Sequence, residues 1–129
     1  MKGRARAALK VILLMPAILF IVNGLRWWVD PAGAAEQLGM PLLHGVGLSS
    51  QIGDLAAFFL LIGLFVLTGI VTGARRWFYA PVALLVLAAV SRVLAWAIHD
   101  AALAVQLLAP ELILAALIWF VSGRLCDQA

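Results

Sequence analysis

The chain has 129 residues, of which 66% are hydrophobic and 12% charged, with a formal net charge of +3 and a mean hydropathy of +1.13. A soluble domain is about 45–50% apolar and about 25% charged, and a disordered chain is poorer still in apolar residues, so both classes are excluded. The sequence describes a single membrane domain over residues 1–129.

The first span is expected over about residues 9–29, since crossing a bilayer takes roughly 20 mostly apolar residues. It follows a basic start (Lys2, Arg4, Arg6, Lys10) and ends at Asp30-Pro31, where proline stops a helix. Trp27 and Trp28 stand where an interfacial aromatic belt would place them. A cleaved signal peptide ending at Ala32-Gly33-Ala34 is the competing reading. Arg26, Trp27 and Trp28 interrupt that pattern, so a retained helix is expected. The stretch Ala32 to Leu43 fits either a short interfacial helix over the outer end of a bundle or an ordered loop; so short a run cannot decide.

A second span is expected over about 51–72, with Ser49-Ser50 as its cap and Gly45 and Gly47 as a flexible lead. A third covers about 77–98, opening on Trp77, Phe78 and Tyr79. A fourth covers about 101–121 and closes on Trp119, Phe120 and Gly123. The apolar runs are continuous and do not alternate, which selects helices over a barrel. Gly69-xxx-Gly73 fits close helix packing or a helix end. The tail Cys126-Asp127-Gln128-Ala129 is no prenylation box, because Asp127 is not aliphatic and no polybasic run precedes it.

Positive charge falls at the N-terminus, at Arg75 and Arg76, and at Arg124. The connections around 30–50 and around His99-Asp100 carry none. The positive-inside rule therefore places both termini in the cytoplasm. The fold class is an all-α integral membrane protein, a four-helix bundle with both ends inside. The basic residues serve orientation and are not interleaved with aromatics on a polar face, so no nucleic acid is expected.

Charges inside spans cost roughly 2.5–3.5 kcal/mol at a helix centre and usually face the bundle interior. The exceptions are therefore informative: Asn23 and Arg26, Asp54, Arg92 and His99, then Gln106 and Glu111. All fall toward the outer half, while the inner half offers only Thr68 and Thr72. Arg92, Trp96 and His99 are spaced i, i+4, i+7 and share a helix stripe. Arg92 lies roughly 10 Å inside its helix end and needs an anion. An ion pair or triad with Asp54, Glu111 or both is expected. Glu111 is expected roughly 15 Å into its helix, near mid-membrane, beside a kink at Pro110 that opens space. For Arg26, snorkelling to the outer interface is expected.

A single cysteine excludes a disulfide, a CxxC pair and a thiolate metal site, and scattered histidines and carboxylates form no ligand set, so no metal is expected. No nucleophile elbow, zinc-protease motif, P-loop or dinucleotide fingerprint is present, and no cofactor is specified.

The segment Gln51-Ile52-Gly53-Asp54-Leu55-Ala56-Ala57-Phe58-Phe59-Leu60, with Gly63-Leu64-Phe65 and Trp77-Phe78-Tyr79-Ala80-Pro81, resembles the DoxX-like group of small bacterial membrane proteins. More narrowly it resembles an uncharacterised four-helix branch, whose polar positions Ser91-Arg92-Val93-Leu94 and Pro110-Glu111-Leu112 match. The resemblance runs from about Asp30 to Phe120. It implies a four-helix bundle in the bacterial inner membrane. Some relatives are associated with thiosulfate-to-quinone electron transfer or oxidative-stress complexes, for which this chain offers no cysteine pair.

The leading functional expectation is an outer-half polar pocket that binds a small amphipathic or lipophilic molecule. Asp54, Arg92 and Glu111 form its core, lined by Asn23, Trp96, His99 and Gln106. Two other classes stand beside it: a membrane enzyme or redox accessory subunit acting on a quinone or isoprenoid, and a structural subunit of a membrane complex or homo-oligomer. In the last, the charged cluster only fixes helix register.

Overall fold

A computed structural model describes residues 3–126; Lys2 and the Asp127 to Ala129 tail lie outside the described residues. Five helices follow one another: α1 (Gly3–Val29), α2 (Pro31–Gln37), α3 (Val46–Thr72), α4 (Arg76–His99) and α5 (Val105–Cys126). Among the described residues there is no strand. The four long helices are long and apolar enough to cross a membrane. The shortest, α5 with 22 residues, reaches about 33 Å against a hydrocarbon core of about 30 Å.

The helix boundaries have local causes. Asp30 ends α1, and its carboxylate accepts a hydrogen bond from Gly33 N at 3.2 Å, capping α2 just before Pro31 at the first helical position. A helix therefore forms within the first connection, over 31–37. Further on, Gln51 holds the chain between α2 and α3. Its side chain donates to Pro41 O and accepts from Leu43 N, both at 2.9 Å. The α3 helix begins at Val46, not at about 51, with Gly45 at φ +58° turning the chain into it. Ser49 and Ser50 consequently lie inside α3 and do not cap it. At the far end Gly73 takes φ +71° and closes α3 in the left-handed conformation, so the second glycine of Gly69-xxx-Gly73 is a helix end.

The last helix departs most from the expected span. Asp100 (φ +58°) terminates α4, and Ala101 N donates back to Ala95 O at 3.2 Å. Ala104 is left-handed as well (φ +53°), so helical geometry cannot resume before Val105. At its other end α5 continues past Gly123 to Cys126, where Arg6 donates to Leu125 O at 3.4 Å.

The long helices form a four-sided bundle: α1 packs against α3 and α5, α4 packs against the same two, and α2 folds back on α1. One half is tightly closed. Leu13, Ala17, Phe20, Ile62, Val66, Phe78, Leu85 and Ile118 form its core, in the half toward the α3–α4 turn. Close approach of α1 and α3 depends on glycine. A Cβ on Gly63 would stand 2.8 Å from both Ala17 O and Ile21 N, and one on Gly24 would stand 3.1 Å from Leu60 N. A smaller cluster at the opposite end packs Ala34 and Ala35 of α2 against Trp27 (1% exposed) and Ala56. Trp27 is therefore a core residue, whereas Trp28 faces outward. The outer faces carry Met15, Val22, Val71, Leu87, Ile113 and Phe120, all exposed. Apolar surface on that scale is tolerated in lipid and not in water.

Gly63→Ala is expected to destabilise the bundle by about 1–3 kcal/mol through overpacking, while Gly53→Ala should fall within about 0.5 kcal/mol of wild type. A Cβ at Gly53 meets nothing within 4 Å. Reversible unfolding in mixed micelles compares the two.

Candidate functional site

At the end opposite the tight half, the helices part around a cavity of about 670 Å³ to which all five contribute. Ligand sites typically enclose about 300–1,000 Å³ with mostly apolar walls and few polar groups. This cavity has that character. Its wall includes Phe20, Phe58, Phe59, Leu85 and Leu114, and its polar lining comprises Asn23, Gln37, Asp54, Ser91, Arg92, Gln106 and Glu111.

Helix geometry explains the convergence. Asn23 lies six residues before the end of α1, Arg92 seven before the end of α4, and Glu111 six after the start of α5. Each is therefore about 9–10 Å in from its helix end, and Asp54, eight residues into α3, is about 12 Å in. Those ends meet on one side of the bundle, because antiparallel connections join them. Glu111 is nearer its helix start than the expected 15 Å, since α5 begins only at Val105. The shift brings it level with Arg92.

Arg92 Nε donates to Glu111 Oε1 at 2.7 Å, with the two side chains 31% and 12% exposed. At this length the contact is a charge-assisted hydrogen bond within an ion pair. Asp54 does not join it. The Asp54 carboxylate is exposed, lines the same cavity, and makes no hydrogen bond or ion pair among the described residues. The arrangement is thus a pair plus a separate carboxylate, and not a triad.

Two of the other polar groups bond to their own helix, and Gln106 makes no hydrogen bond among the described residues. Asn23 Nδ2 donates to Leu19 O at 2.9 Å, and Ser91 Oγ donates to Leu87 O at 2.7 Å. Pro110 lines the cavity, and α5 runs through it without a break in the helix. Arg26 pairs with Asp30 at 3.4 Å and donates to Gln37 Oε1 at 3.1 Å, tying α1 to α2. Ala34, Gln37 and Leu38 of the α2 segment line one side of the cavity, which helix α2 thereby roofs.

Of the residues singled out in the sequence, Asn23, Asp54, Arg92, Gln106 and Glu111 line the cavity. Trp96 and His99 are exposed and do not line it. The face that α4 turns inward carries Leu85, Ala88, Ser91, Arg92 and Ala95. Trp96 is rotated about 100° from Ala95, and His99, the last residue of α4, stands beyond the mouth. Trp27, Ser91, Phe58 and Phe59 were legible as belt or resemblance residues but not as cavity lining, and Gln37 and Phe20 were not singled out, because aromatic and small polar residues are common in spans. Gln51 was legible as a polar residue one turn before Asp54, and it serves the loop and not the cavity. Among the described residues, no three His, Cys, Asp or Glu side chains stand close enough to hold a metal ion.

Breaking the ion pair from one side should cost more than removing both partners. Arg92→Leu or Glu111→Leu alone is expected to lose about 2–5 kcal/mol, and the double variant about 1–3 kcal/mol less than the sum. A double-mutant cycle in mixed micelles measures this.

Compared with protein-family models, with curated proteins and with solved structures, the chain finds no match.

Proposed function

We propose that this is a multi-pass inner-membrane protein whose cavity binds a small amphipathic or lipophilic molecule. The observation that carries the reading is the cavity itself: about 670 Å³ of space with apolar and aromatic walls, into which an ion pair and a separate carboxylate project. Charges that serve only register do not call for a concave, aromatic-walled space beside them, whereas a ligand site does. The ion pair meets the helix-locking role; it does not account for the volume beside it.

Charge supports the orientation. Arg4, Arg6, Lys10, Arg75, Arg76 and Arg124 occupy the tight end, and the connections at the cavity end contain Asp30, Glu36 and Asp100. Under the positive-inside rule the tight end and both termini are cytoplasmic, the cavity lies in the outer half, and α2 rests at the outer interface. The DoxX-like resemblance fits this placement. An isoprenoid or quinone tail suits the same apolar wall, so a redox or enzymatic accessory role operates through the same site.

The ligand reading is tested with the purified chain and farnesol, a neutral isoprenoid alcohol. Saturable binding is expected, weakened at least about tenfold by Ala88→Trp, which fills the cavity, and unchanged by Leu87→Trp on the lipid face. Equal effects of the two substitutions would favour a purely structural role. Orientation is tested separately in a Cys126→Ser background. An impermeant maleimide should label His44→Cys in intact cells and leave Gly3→Cys unlabelled.

A further inference from the structure

The charge balance of the cavity narrows the class of molecule it takes. Three formally charged side chains line it, Asp54, Arg92 and Glu111, so two negative groups face one positive one. The positive one is already engaged, because Arg92 Nε lies 2.7 Å from Glu111 Oε1. Arg26 does not reach the cavity; it is held by Asp30 and Gln37. His99 stands outside it. The surplus is therefore the Asp54 carboxylate, without a partner among the described residues and two turns inside an apolar helix. A carboxylate in such surroundings is stabilised by an opposite charge brought to it. An anionic ligand could reach the Nη donors of Arg92 only while facing two carboxylates, Asp54 and Glu111, in the same cavity.

The wall beside Asp54 has matching chemistry. Phe59 stacks on Phe20 with ring centroids 5.8 Å apart and meets Phe58 edge-on at 5.4 Å, giving a continuous aromatic surface in the same cavity. Aromatic faces attract cations and pack against flat apolar bodies.

We infer that the cavity binds lipophilic monocations, amines or quaternary onium ions with an aromatic or branched apolar body, and that Asp54 provides the counter-charge. The inference rests on the ligand-pocket reading above and gives it a charge and a residue. Glu111 holds Arg92 in place, and Asp54 is the group that the cation meets.

Tetraphenylphosphonium is the probe, measured by equilibrium dialysis with the full chain in a neutral maltoside and corrected against protein-free micelles. Saturable binding at about one per chain is expected. Asp54→Asn should weaken it at least about tenfold, roughly 1.4 kcal/mol, and Leu87→Trp on the lipid face should leave it within about twofold. Asp54→Glu, which restores the charge, should recover most of the phosphonium affinity and guards against a folding defect in the amide variant. Farnesol binding without phosphonium binding, or phosphonium binding indifferent to Asp54→Asn, would overturn the cation inference and leave the pocket standing. If neither probe binds saturably, the inference and the pocket reading fail together.

Discussion

A guanidinium two turns inside an apolar helix has to find an anion, and in this bundle Arg92 of α4 finds Glu111 of α5 at 2.7 Å. The two helices meet at a turn whose geometry is set by left-handed Asp100 and Ala104. Those residues delay α5 to Val105, which brings Glu111 level with Arg92. A helix resuming at 101 would change both the depth and the facing of that carboxylate. Turn and ion pair therefore specify the same register, and consistency of that kind marks a sequence that encodes one packing. The pair also decides what Asp54 can do. With Arg92 paired to Glu111, the second carboxylate stays available in the same cavity.

The cavity exists because the bundle is packed unequally along its length. Toward the α3–α4 turn, Gly63 lets α3 come against the backbone of α1, Phe78 lies over Gly69, and fully buried Leu13, Val66 and Ile118 fill the space between helices. Lipid supplies little driving force for helices to associate, so such contacts come from small residues and close van der Waals packing. From Asn23 outward the polar residues begin, and the buried positions of α4 and α5 thin out. The last buried residue of α4 is Ala89, and the first of α5 is Ala115. Between those levels the space is enclosed by partly exposed side chains, among them both members of the ion pair.

Much of this was legible because a bilayer permits few backbone solutions. Continuous apolar runs, Asp30-Pro31 and the Arg75-Arg76 turn are enough to delimit four long helices, and the polar residues that tolerate burial are few enough to nominate Asn23, Asp54, Arg92, Gln106 and Glu111. The limits lie where φ and side-chain direction decide. Nothing in Ala101-Ala102-Leu103-Ala104 announces a left-handed alanine, so the start of α5 is misplaced from sequence by four residues. Trp27 and Trp28 read alike as belt residues, yet a rotation of about 100° buries the first under α2 and exposes the second. Trp96 and His99 share a nominal stripe with Arg92, but one is turned away from the cavity and the other stands past its mouth.

The two sides of the cavity also differ in what holds them. Its floor is part of the main apolar core, with Phe20 and Leu85 buried. Its roof is α2, seven residues long, fixed by the apolar contacts of Ala34 and Ala35 and by the polar contacts of Arg26 with Asp30 and Gln37. The Arg26 and Asp30 side chains are 41% and 55% exposed, and a pair at that exposure contributes about 0–1 kcal/mol. Gln51 anchors the following loop through two hydrogen bonds. Local opening follows the least stable cooperative unit, which is the one with fewest buried apolar contacts. By that measure the α2 roof is the more lightly held side of the cavity, and the tight half below fixes the long helices whose polar side chains meet there.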